Sequence, residues 1–423
     1  MRTSLLSLML ALLPSLAPAQ ALAPPSAAPT RLADLVSQLE STNPELSAAR
    51  REVDASVARI LPAGAPPDPT ISAGYMSGFL RPPFFPSANT PDGLWQFGVN
   101  QEIPFPGKLA IRTRIASSSA ERARWSVEAQ RVQLVAALKA AYVDLVRADR
   151  TQDLLDRTKT VLEQARAGAE ARFRVGRGAQ QDVLRAQLEI STLIERSTLL
   201  RRERALATSE VNAALGRPAD APIASTLIFD AEAPAQDLAE LQRLAVDRNP
   251  LLERDARQID TGQQVLALAR KEIRPDFGVN VITQRKVGDM PWMYGIDVMV
   301  KVPLFWQRRQ RPMVAEAVAM VSAARQLREA TRVDSDAALV VAYADMDAGR
   351  RLLTLYADSI LPQARLTLES SIASYQVGSV DFLTLLSNVN NVLTFEIANV
   401  QQRALYLQAL ARIEPLTGLA LIR

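Results

Sequence analysis

Hydrophobic and polar residues alternate in four short stretches of the chain. In residues 94–103, LWQFGVNQEI, the apolar side chains Trp95, Phe97 and Val99 are separated by polar or small ones. Because successive side chains of a β-strand point to opposite faces, this pattern predicts a strand with one apolar face. The same alternation occurs at about residues 70–79, 276–285 and 292–303. Each stretch has about ten residues, the length of a tilted membrane strand.

A helical period dominates the rest of the chain. From Leu109 to about Phe173 there is no proline, and apolar residues recur at intervals of three and four. At 1.5 Å per residue such a helix is about 100 Å long. A second helix ends near Leu215, and a similar pair follows in the second half, where Pro362 predicts a local break. Helices of this length cannot bury themselves in one compact domain, so we expect antiparallel coiled-coil hairpins.

The two halves of the chain resemble each other at an offset of about 200 residues. The strand and corner at residues 95–104 recur at 294–303, and RFRVG at 172 is similar to SYQVG at 374. The similarity predicts a first repeat at 22–216, a linker at 217–240 and a second repeat at 241–423, with helix tips at about 174–180 and 375–381. An apolar run followed by small residues predicts a secretory signal over residues 1–21.

The four strands could belong to a soluble sheet or to a membrane sheet, and their surroundings in the sequence distinguish the two. Each strand alone is typical of a soluble antiparallel sheet with one buried face. Trp95, Trp292 and Tyr294 lie at strand ends, where an interfacial aromatic girdle is found. An open sheet cannot lie in lipid because its edges leave amides unpaired, and membrane barrels have about eight strands or more. Three copies would supply twelve strands, so we expect a mainly α protein with a small membrane β part and a trimeric α-barrel.

Composition excludes several classes of chemistry. The 423-residue chain has no cysteine and no histidine, which excludes disulfides, N-terminal lipidation through a cysteine, and thiol or imidazole catalysis. The usual ligands of zinc and copper are also missing, so we expect no metal site and no cofactor. The net charge is only +4 without an aromatic-interleaved basic groove, and nucleic acid is therefore not an expected partner.

Charged residues cluster near the two strand-to-helix corners. These basic residues either meet anionic headgroups at the lipid boundary or form solvated first turns of helices, and the sequence favours neither. They are Lys108, Arg112 and Arg114 after the first corner, and Arg308, Arg309 and Arg311 after the second. On the polar strand faces, Glu102, Asp297 and Lys301 are expected to line the lower part of a barrel.

The corners and tips together resemble the TolC-type outer membrane efflux proteins. The most specific segments are QEIPFPGK and VPLFWQRRQR at the corners, and RFRVGRGAQQDVLRAQ and SYQVGSVDFLTLL at the tips. The resemblance implies a homotrimeric, twelve-stranded outer membrane barrel in a Gram-negative bacterium, continued by a periplasmic α-barrel. It also implies a periplasmic adaptor and an inner-membrane pump of the resistance-nodulation-division (RND) or ABC type. The PFPGK corner is most similar to the heavy-metal RND branch.

The resemblance also assigns residues to roles. Positions that dock the adaptor are matched by Val175, Gly176, Arg177, Val377, Gly378 and Ser379, and the strand-to-helix corners by Pro104, Pro106, Gly107 and Pro303. Glycine suits the tips because a reversal between helices needs a left-handed residue. The alternative is that these glycines form turns and have no docking role.

The same resemblance places a gate near the second tip. Asp182 and Tyr375 match a pair that ties helices together at the closed end. Better-known members carry acidic rings where this chain has Thr384 and Ser387, so an acidic gate is not expected at those positions. Asp381 is a candidate for a cation-attracting ring or, alternatively, a helix cap.

The function implied is a passive exit duct for metal cations or small toxic compounds. One alternative is a periplasmic adaptor, which also uses long helical hairpins but embeds a single hairpin in β-rich domains. A second alternative is a hydrolase or a metal enzyme, which would have to work with carboxylates alone. We therefore predict a channel subunit and not an enzyme.

Overall fold

The computed structural model describes residues 31–76, 93–225, 231–286 and 290–422. These residues are mostly helical and contain one four-stranded antiparallel sheet, as predicted. The expected signal at 1–21 and residues 77–79 of the first expected strand lie outside the described residues, as does part of the expected linker at 217–240.

The first half of the chain begins with short helices and continues through two strands into two long helices. Its elements are α1 Leu32–Thr42, α2 Pro44–Ala58, α3 Ile60–Gly64, β1 Thr70–Met76, β2 Leu94–Ile103, α4 Lys108–Arg174 and α5 Gln180–Ala214. Helix α4 has 67 residues, so it is about 100 Å long. Asn43 caps α2 by accepting a hydrogen bond from the backbone N–H of Leu46, with Pro44 at the first helical position.

The second half has a similar order of elements, but two helices instead of three precede its strands, and its first long helix after the strands is interrupted. Its elements are α6 Leu238–Arg248, α7 Pro250–Lys271, β3 Asp276–Lys286, β4 Met293–Lys301, α8 Gln310–Leu355, a π-helical turn Tyr356–Ile360, α9 Leu361–Gln376 and α10 Phe382–Thr417. Pro362 follows the π turn in the first turn of α9. Proline has no N–H to donate, so the ordinary ladder is broken at the predicted place.

The sheet has the strand order β1-β2-β3-β4, and each neighbouring pair is antiparallel. The register aligns an apolar row across all four strands, formed by Ile71, Val99, Val281 and Ile296. The adjacent row on the opposite face is polar and consists of Thr70, Asn100, Asn280 and Asp297. Ile71 and Ile296 are 80% and 72% exposed, so the apolar face is largely uncovered by the described chain.

The long helices α4, α5 and α10 share a hydrophobic core whose buried residues follow a heptad spacing. On α4 the buried residues Ala148, Leu155, Leu162 and Ala169 are seven positions apart. On α5 the buried residues Ala186, Leu193 and Leu200 follow the same interval, and α10 contributes Phe382, Leu386, Val389 and Leu393 to this core. A strict heptad keeps one seam facing its partner, which is the packing of a left-handed coiled coil.

A second core lies where the short helices meet the middle of the long ones. It contains the fully buried Leu35, Leu138 and Leu241 and extends to the C-terminal segment. Within it, Lys139 Nζ lies 2.6 Å from Glu414 Oε2 and donates to the carbonyl of Ile422. Glu414 Oε1 accepts the backbone N–H groups of Leu421 and Ile422. One buried ion pair therefore fixes the end of the chain against α4.

Candidate functional site: the helix tips and the strand corners

Both helix tips are built by the same backbone motif. Gly176 and Gly378 have φ values of 70° and 81°, in the left-handed region that favours glycine. The N–H of Arg177 donates to the carbonyl of Arg172, and that of Ser379 donates to the carbonyl of Ser374. These six-to-one bonds define the Schellman ending of a helix. The two turns thus have matching geometry despite different side chains.

All six residues expected to dock an adaptor are exposed at these tips. The two valines stand out, because Val175 is 68% and Val377 is 81% exposed. A side chain at Gly176 or Gly378 would meet no atom within 4 Å, so open space surrounds both turns. The tips therefore present small, exposed apolar and glycine surfaces.

Arg172 joins the two tips, and the sequence analysis did not single it out. Its guanidinium lies 4.2 Å from the centre of the Tyr375 ring, and Nη2 donates to the carbonyls of Tyr375 and Gln376 at 2.7 and 3.1 Å. The Tyr375 ring also packs on Phe382, with ring centroids 5.7 Å apart. Partial burial raises the pKa of the Tyr375 phenol, while the charge of Arg172 acts in the opposite direction. Tyr375 is therefore held from both hairpins.

The residues expected at the gate lie close to this contact. Asp182 is in the first turn of α5, near enough to Tyr375 to raise the pKa of its phenol slightly against the effect of Arg172. Asp381 caps α10, because its Oδ1 accepts the backbone N–H of Thr384. Hydrogen bonds from the side chain and the backbone of Thr384 lower the pKa of the Asp381 carboxyl. Thr384 and Ser387 are exposed one turn apart on α10.

The first corner, residues 104–107, is locked to the second half of the chain. Gly107 has a φ of 87° and precedes α4, whose first residue, Lys108, is only 1% exposed. Lys108 Nζ lies 2.9 Å from Asp276 Oδ1 and 3.0 Å from Glu272 Oε2. The backbone N–H of Phe105 donates to Asp276 Oδ1 at 2.7 Å. We call Phe105, Lys108, Glu272 and Asp276 the corner cluster.

The corner cluster corrects both explanations offered for Lys108. Lys108 neither meets headgroups nor forms a solvated turn, because its ammonium is buried between two carboxylates. Taking an ammonium out of water is unfavourable unless paired acids replace its hydration. Arg112 extends the cluster toward the surface, 3.7 Å from Glu272.

The second corner, residues 302–309, is open. Leu304 and Phe305 are 77% and 76% exposed, and Trp306 is 43% exposed. Arg308 and Arg309 are exposed, and within the described residues no carboxylate forms an ion pair with either of them. On the nearby strands, Lys301 Nζ lies 3.7 Å from Glu102 Oε1, so two residues expected to line a barrel pair with each other.

Comparison with protein families decides the identity of this architecture. The family model described as outer membrane efflux protein matches residues 35–217 and 241–419, which cover both hairpins and all four strands. The chain belongs to the outer membrane efflux protein family. Members of this family are outer membrane efflux channels. No curated protein sequence matches the chain.

Solved structures of outer membrane channels have the same fold as this outer membrane efflux protein. VceC from Vibrio cholerae is 19% identical, covers 91% of this chain and 96% of its own, and superposes with a TM-score of 0.76. CmeC from Campylobacter jejuni is 14% identical, with coverages of 92% and 85% and a TM-score of 0.78. CusC is 16% identical, with coverages of 92% and 92% and a TM-score of 0.78. At these identities the likeness establishes the fold alone.

Among the described residues, none of the helices combines the length and apolar composition needed to cross a bilayer. In the same residues, no group of three or more carboxylates is arranged to hold a metal ion.

Proposed function

We propose that this outer membrane efflux protein is the exit duct of a tripartite efflux system. Three copies form a twelve-stranded barrel in the outer membrane, continued by a periplasmic α-barrel of paired hairpins. The duct is passive, since an inner-membrane pump of the RND or ABC type delivers the substrate through a periplasmic adaptor. The observation that carries this proposal is the four-stranded sheet with an exposed apolar face and two unpaired edges.

The sheet needs partners that the single chain does not supply. Strands β1 and β4 each pair on one side only within the described residues. Unpaired amides in lipid cost several kcal/mol each, and closure removes both edges at once. Membrane barrels have about eight strands or more. One copy of the four-stranded sheet falls below this number and two copies only reach it, whereas three copies exceed it. The similar structures of CmeC, an outer membrane channel, and CusC, which forms a transmembrane channel, support a closed barrel.

The helix tips are the proposed adaptor surface. Exposed Val175 and Val377 offer apolar contacts at the far end of the helices from the sheet. The glycines beside them allow a partner backbone to approach closely, because no side chain stands in the way. Arg177 and Ser379 add polar groups at the same two turns. The adaptor alternative loses support, because the family match covers both hairpins of the chain.

The proposed gate is neutral and lies next to the tips. Thr384 and Ser387 would project from α10 toward the duct axis, with Asp182 and Tyr375 holding the neighbouring helices. Asp381 acts as a cap in this scheme and not as a ring charge, since its carboxylate already accepts hydrogen bonds from Thr384. A ring formed by Thr384 and Ser387 carries no charge and exerts little selection on ions, so the pump selects the substrate. Metal cations and small toxic compounds are the proposed cargo.

Single-channel conductance in planar bilayers, with the oligomer mass measured in detergent, tests the duct. We expect a trimer that opens discrete pores. A monomer without conductance would overturn the proposal. Because the chain has no cysteine, Thr384→Cys and Ser387→Cys provide unique thiols. Charged methanethiosulfonate reagents should reduce the conductance of both variants and leave the parent protein unchanged. Unchanged currents in the modified variants would contradict the gate assignment.

Adaptor docking is tested by a charge at the most exposed tip valine. Val377→Asp should weaken binding of the purified adaptor by about tenfold or more, because a buried carboxylate in an apolar contact is unfavourable. The matched control is Val246→Asp, since Val246 on α6 is also exposed, at 47%. Both variants should conduct normally. Equal adaptor affinity in the two variants would show that the tip does not dock the adaptor.

A further inference from the structure

The two strand-to-helix corners differ in their polar contacts. At the first corner, the carboxylate of Asp276 accepts the N–H of Phe105 and pairs with Lys108. At the second corner, exposed arginines follow an edge strand and have no carboxylate partner in the described residues. Pro303 occupies the position in the second corner that Pro104 occupies in the first. The acid that would complete the second corner is therefore missing from its surroundings.

Asp68 is the counterpart of the acid that completes the first corner. Pro67 and Asp68 lie just before β1, separated from it by Pro69, and Pro275 and Asp276 lead into β3, of which Asp276 is the first residue. Asp68 is exposed, and within the described ranges no donor reaches its carboxylate. It lies beside β1, the edge opposite to the one formed by β4. Within the part of the chain that the structure describes, one edge therefore carries an acid without an ion-pair partner and the other carries arginines without one.

The observed register between β2 and β3 locates Asp68 against a second copy of the chain. In that register Ile103 is opposite Phe277, so Pro104 is one step further, opposite Asp276. The same register, transferred through the matching corner residues to β4 and the β1 of another copy, places Val300 opposite Ile71. It also places Val298 opposite Ala73 and Ile296 opposite Tyr75. Asp68 then lies opposite Pro303.

The transferred register also places residues of the same sheet face opposite each other, although it was derived from the corner residues alone. A shift by one residue would turn every side chain of a strand to the other face. Val300, Val298 and Ile296 belong to the apolar face of the sheet, and the register brings them beside β1 residues of that same face. The apolar band therefore continues without a break from one copy to the next.

We propose that Asp68 of one protomer pairs with Arg308 and Arg309 of its neighbour and seals the second corner between subunits. This inference rests on the proposed trimer and adds the contact that closes its ring. Within each chain, the corner cluster links the corner after β2 to the start of β3. Around the trimer, this contact within a chain would alternate with the proposed contact between chains. Carboxylate and guanidinium form strong, charge-assisted hydrogen bonds when their geometry is fixed by neighbouring strands.

Cysteine cross-linking tests the register in the assembled protein. Val300→Cys combined with Ile71→Cys places two thiols on directly opposite residues, within the range that a disulfide spans. The matched control combines Ile71→Cys with Val302→Cys, which moves one thiol two residues along the same face. We expect at least fivefold more covalent trimer from the first pair under mild oxidation. Equal yields from the two pairs would overturn the register.

Charge reversal tests the ion pair itself. Asp68→Arg should lower the temperature at which the detergent trimer dissociates, and Arg308→Asp with Arg309→Asp should do the same. Combining all three substitutions should restore most of the loss. Asp220→Arg, at an exposed acid that forms no ion pair within the described residues, should have no effect. Full trimer stability in the Asp68→Arg variant would refute this contact while leaving trimer and conductance intact. A monomeric, non-conducting parent protein would instead refute the proposed function.

Discussion

Arg172 and Tyr375 form the contact through which one helix tip holds the other. The guanidinium of Arg172 stacks 4.2 Å from the ring centre of Tyr375 and donates to its backbone carbonyl at 2.7 Å. Arg172 of the first hairpin thus donates a hydrogen bond to a backbone carbonyl at the C-terminal end of α9 and also covers the Tyr375 ring. Orphan carbonyls at a helix end need such a partner.

Removing this side chain should loosen the second tip. Arg172→Ala eliminates a cation–π contact and two hydrogen bonds, which together contribute about 1–3 kcal/mol. We expect amide hydrogen exchange around residues 375–379 to accelerate about tenfold or more. Arg174→Ala is the matched control, since Arg174 is an exposed arginine at the same helix end. Similar exchange in the two variants would contradict the role of Arg172.

The corner cluster should tolerate the loss of its lysine poorly. Lys108→Met leaves Glu272 and Asp276 facing each other without a buried cation. Removing one partner of a buried ion pair costs about 3–5 kcal/mol, and the partial exposure of the two acids places this case near the lower end. The free energy of unfolding in urea measures the loss. Arg114→Met, at an exposed arginine six residues later, should change it by about 0.5 kcal/mol or less.

Two glycines of the first hairpin should respond to alanine in opposite directions. Gly107→Ala forces a side chain into the left-handed region and against Lys271 Nζ, so the protein should lose about 1–2 kcal/mol. Gly168 is inside α4, where an added Cβ meets no atom within 4 Å. Gly168→Ala should therefore stabilise the protein by up to about 1 kcal/mol. Thermal unfolding followed by circular dichroism distinguishes the two, and a shift of the same sign in both would be inconsistent with this geometry.

The ion pair between Glu128 and Arg131 within α4 should weaken in acid. Arg131 bonds both Glu128 and Glu40, and its hydrogen bonds lower the pKa of the Glu128 carboxyl, although partial burial opposes the shift. A depressed folded-state pKa stabilises the fold above the ordinary glutamate pKa of about 4.3, and the contribution is lost as the pH falls through the folded value.

The stability difference between the parent protein and Glu128→Gln should accordingly be larger at pH 7 than at pH 3. Urea unfolding at both pH values measures it. Glu170→Gln serves as the control, since Glu170 is exposed on the same helix and forms no ion pair within the described residues. A difference for Glu128→Gln that does not change with pH would contradict the assigned role.

Periodicity made the strands, the long helices and the break at Pro362 predictable from sequence. Those features depend on residues close together in the chain, and each leaves a local pattern. The corner cluster leaves none, because Lys108 finds Glu272 and Asp276 at separations of 164 and 168 residues. Within its own segment, Lys108 is one of several basic residues and resembles a surface charge. Its burial follows from the β2–β3 pairing, which no single segment encodes.

The contact of Arg172 was hidden for a related reason. The RFRVG segment points to its glycine as a turn, and nothing in the segment indicates a ring 203 residues away. The cap formed by Asp381 was easier to anticipate, because the acid immediately precedes the helix that it caps. Local polar contacts can therefore be foreseen from sequence, whereas those between hairpins require the fold.

The π-helical turn at Tyr356–Ile360 changes the rotational phase of side chains along the second hairpin, whereas the first hairpin has no such change in α4. A π turn holds one residue more than an α turn, so side chains beyond it are rotated by about 100° relative to an unbroken helix. Helix α4 has no such phase step, since it runs as one α-helix from Lys108 to Arg174. The side chains of the second tip therefore lie on a face of the helix that is shifted in phase from the face that begins below β4, whereas those of the first tip remain in phase with the start of α4.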